Sequence, residues 1–137
     1  MLLVAIAPCL ALPAFADDHP CNISYALNDG GSLGVAYRSG TQAGSGACAI
    51  QSCGGSGAGC NIVMSVRADC VAMSESRTAA GNWFWVGNTW AENAHDGSGE
   101  LRRVEDMVMG WCNASEAPAG PCVIRHSDCM DYIRNLN

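Results

Sequence analysis

The sequence predicts an α+β fold in which an antiparallel sheet of five to seven strands carries two helices on one side. Three observations support this prediction: a duplicated segment, an even number of cysteines after an apolar leader, and alternating strand and helix patterns. The duplicated segments run from Cys53 to Cys70 and from Cys112 to Cys129. Each contains a cysteine, a polar turn, a cysteine, a β-rich run, an aspartate and a cysteine. The duplication predicts two strand–strand–helix–strand units, at about residues 25–70 and 71–129.

Residues 1–16 have the features of a secretory signal peptide. The stretch is apolar and uncharged, and Ala14-Phe15-Ala16 fits the small-x-small pattern of a cleavage site. It is shorter than the roughly 20 apolar residues that span a bilayer. We therefore expect a single domain over residues 17–137 that is secreted or periplasmic in a bacterium. We expect no stable membrane insertion after cleavage.

The cysteine count predicts a disulfide framework. The chain has nine cysteines, and cleavage after Ala16 would remove Cys9 and leave an even number, as is typical of exported proteins. The remaining cysteines are Cys21, Cys48, Cys53, Cys60, Cys70, Cys112, Cys122 and Cys129. They allow about 105 pairings, so that spacing alone leaves the connectivity open. No two have Cys-x-x-Cys spacing and the histidines are scattered, so we expect no metal site.

Charge and composition exclude several classes of function. The formal net charge of -6 disfavours nucleic acid or an anionic membrane surface as a partner. All cationic side chains are arginines, which excludes Schiff-base chemistry on lysine. The glycine-rich stretch Gly54–Gly59 follows a predicted helix, whereas a phosphate-binding loop precedes one. It is better explained as a helix C-cap, and we expect no cofactor.

In the first unit, the leader 17–24 precedes two strands that are joined by the hairpin turn Asn28-Asp29-Gly30-Gly31. A helix with Thr41 as its N-cap then continues to about Cys53, although Gly44 and Gly46 weaken it. The predicted strands of this unit are Tyr25–Leu27, Leu33–Arg38 and Cys60–Val66.

The second unit has the stronger patterns. Trp83 to Val86 is the best strand signal, with Trp83 and Trp85 on one face and Phe84 and Val86 on the other. The polar stretch Glu92–Gly99 predicts a loop, which we expect to be the most mobile segment after the termini. In the helix Glu100–Cys112, an apolar stripe at helical spacing consists of Leu101, Val104, Val108 and Trp111. The remaining strands are Val71–Met73 and Cys122–Arg125.

These features resemble domain-of-unknown-function family 4189. Small or apolar residues precede the helix-terminal cysteine by the same intervals in both units; they are Ser45, Ala49 and Ile50 before Cys53, and Val104, Val108 and Met109 before Cys112. The strands CNIVMSVRADCVAM and WFWVGN complete the resemblance. The family consists of small exported proteins with duplicated helix–cysteine–strand units. It implies this fold and an export route, and no catalytic residues. Cys21 and Cys48 depart from the family pattern.

The repeat predicts four disulfides. Equivalent cysteines should have equivalent partners, which favours Cys53–Cys60 and Cys112–Cys122, each between a helix end and the next strand. The third cysteines, Cys70 and Cys129, would then pair and join the two units. The two cysteines outside the family pattern, Cys21 and Cys48, would pair with each other. An exchange of partners between these last two pairs is the open alternative.

The aromatic strand is the first candidate for a binding site. Trp83, Trp85 and Trp90 could stack on sugar rings or anchor a protein partner. The alternative is that these side chains belong to the core. Because both faces of residues 83–86 are apolar, the strand is either covered on both sides or has one binding face.

The polar loop is the second candidate. His95 and Asp96 could act in acid–base chemistry, but no nucleophile can be assigned to them, so we assign no catalytic residue. Its oxygen donors could bind Ca²⁺, although the EF-hand pattern is absent; they are Glu92, Asn93, Asp96, Ser98 and Glu100. The simpler explanation is a solvated loop that precedes a helix. The contiguous His126, Ser127 and Asp128 are interpreted as a chance arrangement rather than a triad.

The function expected from the sequence is non-enzymatic binding of a protein or a cell-envelope glycan. The disulfide framework, the aromatic strand and the lack of a recognisable catalytic set support this expectation. The alternatives are a small secreted hydrolase that uses His95 and acidic residues, and a purely structural envelope protein.

Overall fold

The computed structural model describes residues 21–38, 42–78, 81–89, 97–115 and 120–129. The predicted signal peptide with Cys9, and the tail after Cys129, lie outside these ranges. The described residues form β1 (Cys21–Leu27), β2 (Leu33–Arg38), α1 (Gln42–Cys53), β3 (Asn61–Ala68), β4 (Cys70–Thr78), β5 (Gly81–Thr89), α2 (Gly97–Ala114) and β6 (Cys122–Cys129). The strand–strand–helix–strand order therefore occurs twice, as the sequence predicts.

The strands form two antiparallel sheets of three strands each. In the first sheet β1 lies between β2 and β3, and in the second β4 lies between β5 and β6. The last strand of each unit carries a bulge, because the register skips Val63 in β3 and Arg125 in β6. The two units thus share both their strand order and their irregularity, and Met64 corresponds to His126.

The two sheets face each other across the main hydrophobic core. Ile23 and Tyr25 of β1 and Val71 and Met73 of β4 are fully buried there. These residues alternate along their strands, as a strand with one face in the core requires. The core therefore belongs to both units, and each sheet forms half of it.

The helices cover the outer faces of the two sheets. α1 packs over Ala26 and Ala36 of the first sheet, and α2 packs over Cys70 and Ala72 of the second. The layers are therefore helix, sheet, sheet, helix. The α+β class with disulfide-linked antiparallel strands is confirmed.

The arrangement differs from the prediction of one sheet with both helices on one side. Both faces of each central strand carry small or apolar residues, so each face must be covered. The other sheet covers the inner face and a helix covers the outer face. Local sequence patterns show that both faces are apolar, but they do not show what covers each one.

Small residues bring α1 close to its sheet. Ser45 and Ala49 are fully buried, and the hydroxyl oxygens of Ser24 and Ser45 lie 2.6 Å apart. At Gly34 of β2, an added Cβ atom would overlap the carbonyl oxygen of Ala49 and lie 2.5 Å from the backbone nitrogen of Cys53. Tertiary packing therefore compensates for the weak helix propensity of this glycine-rich segment.

The glycines after Cys53 end α1 in a Schellman motif. The Gly55 N–H donates to the carbonyl of Ile50 at 2.8 Å, and the Gly54 N–H donates to the carbonyl of Gln51 at 3.2 Å. Both glycines have positive φ, 129° at Gly54 and 87° at Gly55, which residues with a side chain rarely adopt. The predicted helix C-cap is confirmed.

α2 begins at Gly97, earlier than the predicted start at Glu100. The end of the predicted loop Glu92–Gly99 is therefore helical. Glu100 lies in the first turn, where the helix dipole favours an acidic side chain, and its Oε1 lies 3.0 Å from Arg103. Val104 and Val108 are fully buried against the second sheet. Within the described ranges, no helix is long and apolar enough to cross a bilayer.

β1 begins at Cys21, so the second half of the predicted leader is part of the first sheet. Asn22 pairs with Arg38 of β2 and with Arg67 of β3. Only Ile23 is apolar in this short stretch, and a single apolar residue gives too weak a pattern to predict a strand.

Three of the four predicted disulfides are present, namely Cys53–Cys60, Cys112–Cys122 and Cys70–Cys129. Cys48 is also disulfide-bonded. Because the side chain of Cys21 lies outside the described part of the chain, the pair Cys21–Cys48 stays a prediction. The first two bonds fasten each helix end to the start of the next strand, as the repeat logic requires.

The reason given for Cys70–Cys129 was wrong, although the pairing is confirmed. Cys70 begins β4, and it lies opposite Cys129 of β6 in the same sheet. The bond therefore joins two neighbouring strands of the second unit and does not connect the units. Alignment of the two units by their bulges places Cys70 of β4 at the position of Asn22 of β1. Cys70 is therefore not the structural counterpart of Cys129, although the aspartate–cysteine motif occurs twice in the sequence.

Candidate functional site

The aromatic strand β5 lies at an edge of the second sheet. Phe84 and Val86 face the core between the sheets, as the alternation predicts. Trp83 and Trp85 point to the opposite face, beside α2, where they lie opposite Ser76 and Ser74 of β4. Both tryptophans remain half-buried. The strand is therefore partly covered on both sides, and its outer face retains accessible aromatic surface.

Trp111 of α2 extends this aromatic face. Its ring carbon Cζ3 lies 3.2 Å from the position of a Cβ atom added at Gly87, which is the next residue after Trp85 on the same face of β5. Trp111 is nevertheless 46 % exposed. We call Trp83, Trp85 and Trp111 the tryptophan surface.

The exposure of Trp111 corrects the prediction from the sequence. Its spacing from Val104 and Val108 placed it in the apolar stripe of the helix, and such a stripe normally faces the core. In the fold, Trp111 lies over β5, where the sheet ends, so that the ring has sheet on one side and solvent on the other. Gly87 was the available signal, because a glycine inside a strand often marks the close approach of another element.

Most of the other residues predicted for the site lie in the segment between β5 and α2. Trp90, His95 and Asp96 lie outside the described residues, as do Glu92 and Asn93. The structure therefore brings together Trp83 and Trp85 of the predicted binding set.

Glu100 is the described member of the suggested Ca²⁺ donors. It is buried, and its Oε2 atom has no hydrogen-bond partner in the described part of the chain. Among the described residues, no three His, Cys, Asp or Glu side chains are grouped so that they could hold a metal ion. A single carboxylate supplies too few of the six to eight oxygen ligands that Ca²⁺ requires.

A polar cluster between the sheets is the second notable arrangement. His126 of β6 contacts two tyrosines of the first sheet: its Nδ1 lies 2.7 Å from the hydroxyl of Tyr25, and its Nε2 lies 3.4 Å from that of Tyr37. The Tyr37 hydroxyl in turn lies 3.1 Å from Oδ2 of Asp128. We call Tyr25, Tyr37, His126 and Asp128 the inter-sheet cluster.

The hydrogen bonds of the inter-sheet cluster form one directed chain. The Tyr37 hydroxyl has one proton, which it donates to Oδ2 of Asp128, so its oxygen accepts in turn from the Nε2–H of His126. Nδ1 then accepts the proton of Tyr25. Burial raises the pKa of the Tyr25 hydroxyl, and Tyr37 and Asp128 reinforce this effect. Burial also lowers the pKa of His126, while Asp128 acts in the opposite direction.

This geometry favours a structural role over catalysis. Tyrosine hydroxyls occupy both ring nitrogens of His126, so neither is available to a substrate. Ser127 points to the other face of the strand, where its hydroxyl donates to Oε1 of Glu105 at 2.5 Å. The residues His126, Ser127 and Asp128 therefore do not form a triad, in agreement with the interpretation of the sequence.

Comparisons of the chain with protein-family models, with curated proteins and with solved structures found no match. The tryptophan surface and the inter-sheet cluster are therefore interpreted from their own chemistry.

Proposed function

We propose that this chain is an exported, disulfide-stabilised module that binds a protein or a cell-envelope glycan through the tryptophan surface, without catalysis. The observation that carries the proposal is the exposure of Trp111 beside the half-buried Trp83 and Trp85. Tryptophan is highly buried on average, and exposed clusters of it are typical of binding sites. A flat aromatic ring can stack on a sugar or fill a pocket of a protein partner.

The export route and the family are parts of the same proposal. The disulfides support export, because such bonds persist in oxidising compartments. The apolar residues 1–16 support a signal peptide, and hence a secreted or periplasmic location in a bacterium. The duplicated helix–cysteine–strand unit supports membership of domain-of-unknown-function family 4189.

The test compares Trp111→Ala with Val123→Ala. Val123 is 49 % exposed on β6, the opposite edge of the same sheet, and it serves as the matched control. Tryptophan fluorescence would be recorded during titration with purified peptidoglycan fragments and a panel of envelope polysaccharides. If one of these binds, Trp111→Ala should weaken binding about 30-fold, the effect of losing a hot-spot side chain worth about 2 kcal/mol.

A protein partner would be sought with the same variants. Immobilised wild-type chain and both variants would be incubated with the envelope proteins of a bacterial host, and bound proteins would be identified by mass spectrometry. Support requires a protein that Trp111→Ala loses and Val123→Ala retains, followed by a measured affinity for that purified protein. Equal binding by both variants in the two arms would exclude the tryptophan surface.

The alternative functions predict different results. A small hydrolase that uses His95 and acidic residues should turn over an ester, peptide or glycan substrate, and His95→Ala should abolish that turnover. A purely structural envelope protein should tolerate Trp111→Ala without any loss of binding or turnover.

A further inference from the structure

The strand β5 has one side that is not paired with another strand. In the described part of the chain β5 forms its ladder with β4 alone, and its other backbone hydrogen bond joins Thr89 to Asp69. In a strand that is paired on one side, every second residue directs its N–H and C=O groups away from the sheet. The unpaired side of β5 therefore presents a row of hydrogen-bonding groups that fits another strand.

The other edge strands of the two sheets differ from β5. β3 and β6 each carry a bulge, at Val63 and at Arg125, and both contain charged side chains. β2 has six residues and ends with Arg38. Charges, bulges and short length keep edge strands from pairing with other chains. β5 has nine residues, without a charge, a proline or a bulge, so it is the described edge that is best suited to pairing.

The unpaired side of β5 is accessible. Phe84 and Val86 face the core between the sheets and yet remain half-buried, whereas Met73 of the central strand β4 is fully buried in the same core. Asn82 and Asn88, near the two ends of β5, are exposed. Solvent therefore reaches this strand along the edge that another strand would occupy.

The sequence of β5 is nearly symmetric about Trp85, which is the midpoint of the strand Gly81–Thr89. Residues at equal distances from Trp85 form similar or complementary pairs; they are Phe84 with Val86, Trp83 with Gly87, and Asn82 with Asn88. Two antiparallel copies of β5 related by a twofold axis at Trp85 would therefore overlap over their full length. Opposite residues of an antiparallel pair lie on the same face, so this register keeps the same side chains outward in both copies.

Each of these pairs suits its place in such a ladder. Phe84 and Val86 would form an aromatic–β-branched pair on the core side. Trp83 of one copy would lie opposite Gly87 of the other, and an aromatic ring opposite a glycine stabilises an antiparallel pair. No charge opposes another along the register, because β5 has none. The symmetry of the strand favours a second copy of this chain over an unrelated peptide, which has no reason to match it.

We propose that two copies of this chain pair through β5, antiparallel and with Trp85 on the twofold axis, so that their three-stranded sheets become one sheet of six strands. The outward faces of both β5 strands then lie on the same side of this sheet, and the two tryptophan surfaces adjoin. Trp83 of the second copy thereby adds a ring beside Trp111. This last consequence rests on the proposed function, whereas the pairing itself does not.

The test measures the association of the purified chain with its disulfides intact and without added ligand. Sedimentation equilibrium from micromolar to millimolar concentration should show a reversible monomer–dimer transition. Trp85→Glu and Trp85→Lys each place two like charges opposite each other on the axis, and each should weaken the dimer at least about tenfold. An equimolar mixture of the two variants should associate again, because a glutamate then faces a lysine.

Val123→Glu is the matched control, because Val123 is 49 % exposed on β6, the edge strand on the other side of the same sheet. It should leave the dimer unchanged, and circular dichroism should show that all variants are folded. Hydrogen exchange of the wild-type chain needs no variant. The amides of β5 should gain protection as the concentration rises, and those of β6 should not.

A wild-type chain that stays monomeric at every concentration would overturn the proposal. A dimer in which β5 exchanges as fast as in the monomer would also overturn it, since the copies would then meet elsewhere. If both Trp85 variants fold and their mixture stays monomeric, the twofold register is wrong. A dimer that binds none of the tested glycans or proteins would support the pairing and exclude only the proposed function.

Discussion

His126 joins the two units at the level of single side chains. It is part of β6, and its ring contacts Tyr25 and Tyr37 of the first sheet. The ring planes of His126 and Tyr25 are nearly perpendicular, with centroids 5.4 Å apart. Together with the hydrogen bond from Arg125 to the carbonyl of Gly31, this cluster specifies how the sheets are aligned, which nonpolar contacts alone do less well.

The inter-sheet cluster predicts that stability depends on pH. The pKa of His126 in the folded chain is lowered from the 6.5 expected of the unfolded chain, chiefly by burial. Below pH 6.5 the unfolded chain therefore binds a proton that the folded chain does not. The free energy of unfolding should be constant for this group above that pH and fall as the pH is lowered through it. Urea denaturation at several values from about pH 7 to about pH 5 measures the slope.

His126→Gln provides the comparison, because it retains the other two histidines and every carboxylate. The variant should be less stable than the wild type at neutral pH, and its stability should vary less with pH over the same range. Identical slopes for the two proteins would show that His126 does not cause the dependence.

At the scale of elements, the contact between α1 and β2 depends on a missing side chain. An added Cβ at Gly34 would collide with the backbone of α1, at the carbonyl oxygen of Ala49 and the nitrogen of Cys53. Backbone atoms of a helix cannot move independently, so the whole helix would have to shift. In the second unit the register places Trp85 at the position of Gly34, whereas Gly87, at the position of Ala36, is the glycine that lies close to the side chains of Met107, Val108 and Trp111.

Gly34→Ala should therefore destabilise the chain by about 3 kcal/mol, the upper part of the range for an overpacked interior. Gly57→Ala is the control, because an added Cβ there meets no atom within 4 Å and Gly57 is not among the glycines with positive φ. That variant should stay within about 0.5 kcal/mol of the wild type. Urea denaturation measures both, and a similar effect of the two substitutions would mean that α1 shifts without cost.

At the scale of the whole molecule, the units share one core, and none of the described disulfides joins one unit to the other. Val71 and Met73 of the second sheet are fully buried only because the first sheet covers them. The three described disulfides each join residues of one unit. The association of the units therefore depends on noncovalent contacts, chiefly the apolar core and the inter-sheet cluster.

We expect that neither unit folds by itself. Residues 17–68 and residues 69–137, produced as separate chains and oxidised, should each lack a cooperative thermal transition, because half of a shared core is then exposed. Mixed at equal concentration, they should recover the near-ultraviolet circular dichroism of the intact chain.

The intact chain, oxidised in the same way, is the control, because its near-ultraviolet circular dichroism defines full recovery. A cooperative transition in residues 69–137 alone would contradict the shared core. It would instead indicate that α2 and its disulfides are sufficient to stabilise the second sheet.

The features that could be predicted from the sequence are those that local patterns encode. The alternation in Trp83 to Val86 correctly gave the two faces of β5, and the spacing of Val104 and Val108 gave the buried face of α2. The repeated cysteines gave the bonds at both helix ends. Of the candidate site, Trp83 and Trp85 were named as binding candidates, whereas Trp111 was named only as part of the apolar stripe of the helix. An apolar stripe shows which face of a helix packs against the rest of the fold, but it does not show how far the neighbouring sheet extends.

The sequence by itself determined the duplicated strand–strand–helix–strand order, the faces of its strands and the disulfides at the helix ends. Only the tertiary structure decided that the strands form two sheets, that the helices lie on opposite sides, and that Tyr25, Tyr37 and His126 meet. The physical reason is the range of each interaction. Helix and strand periodicities and short disulfide loops involve residues that are close in the chain. The contact of Tyr25 with His126 joins residues about a hundred positions apart, and it depends on the packing of the complete core.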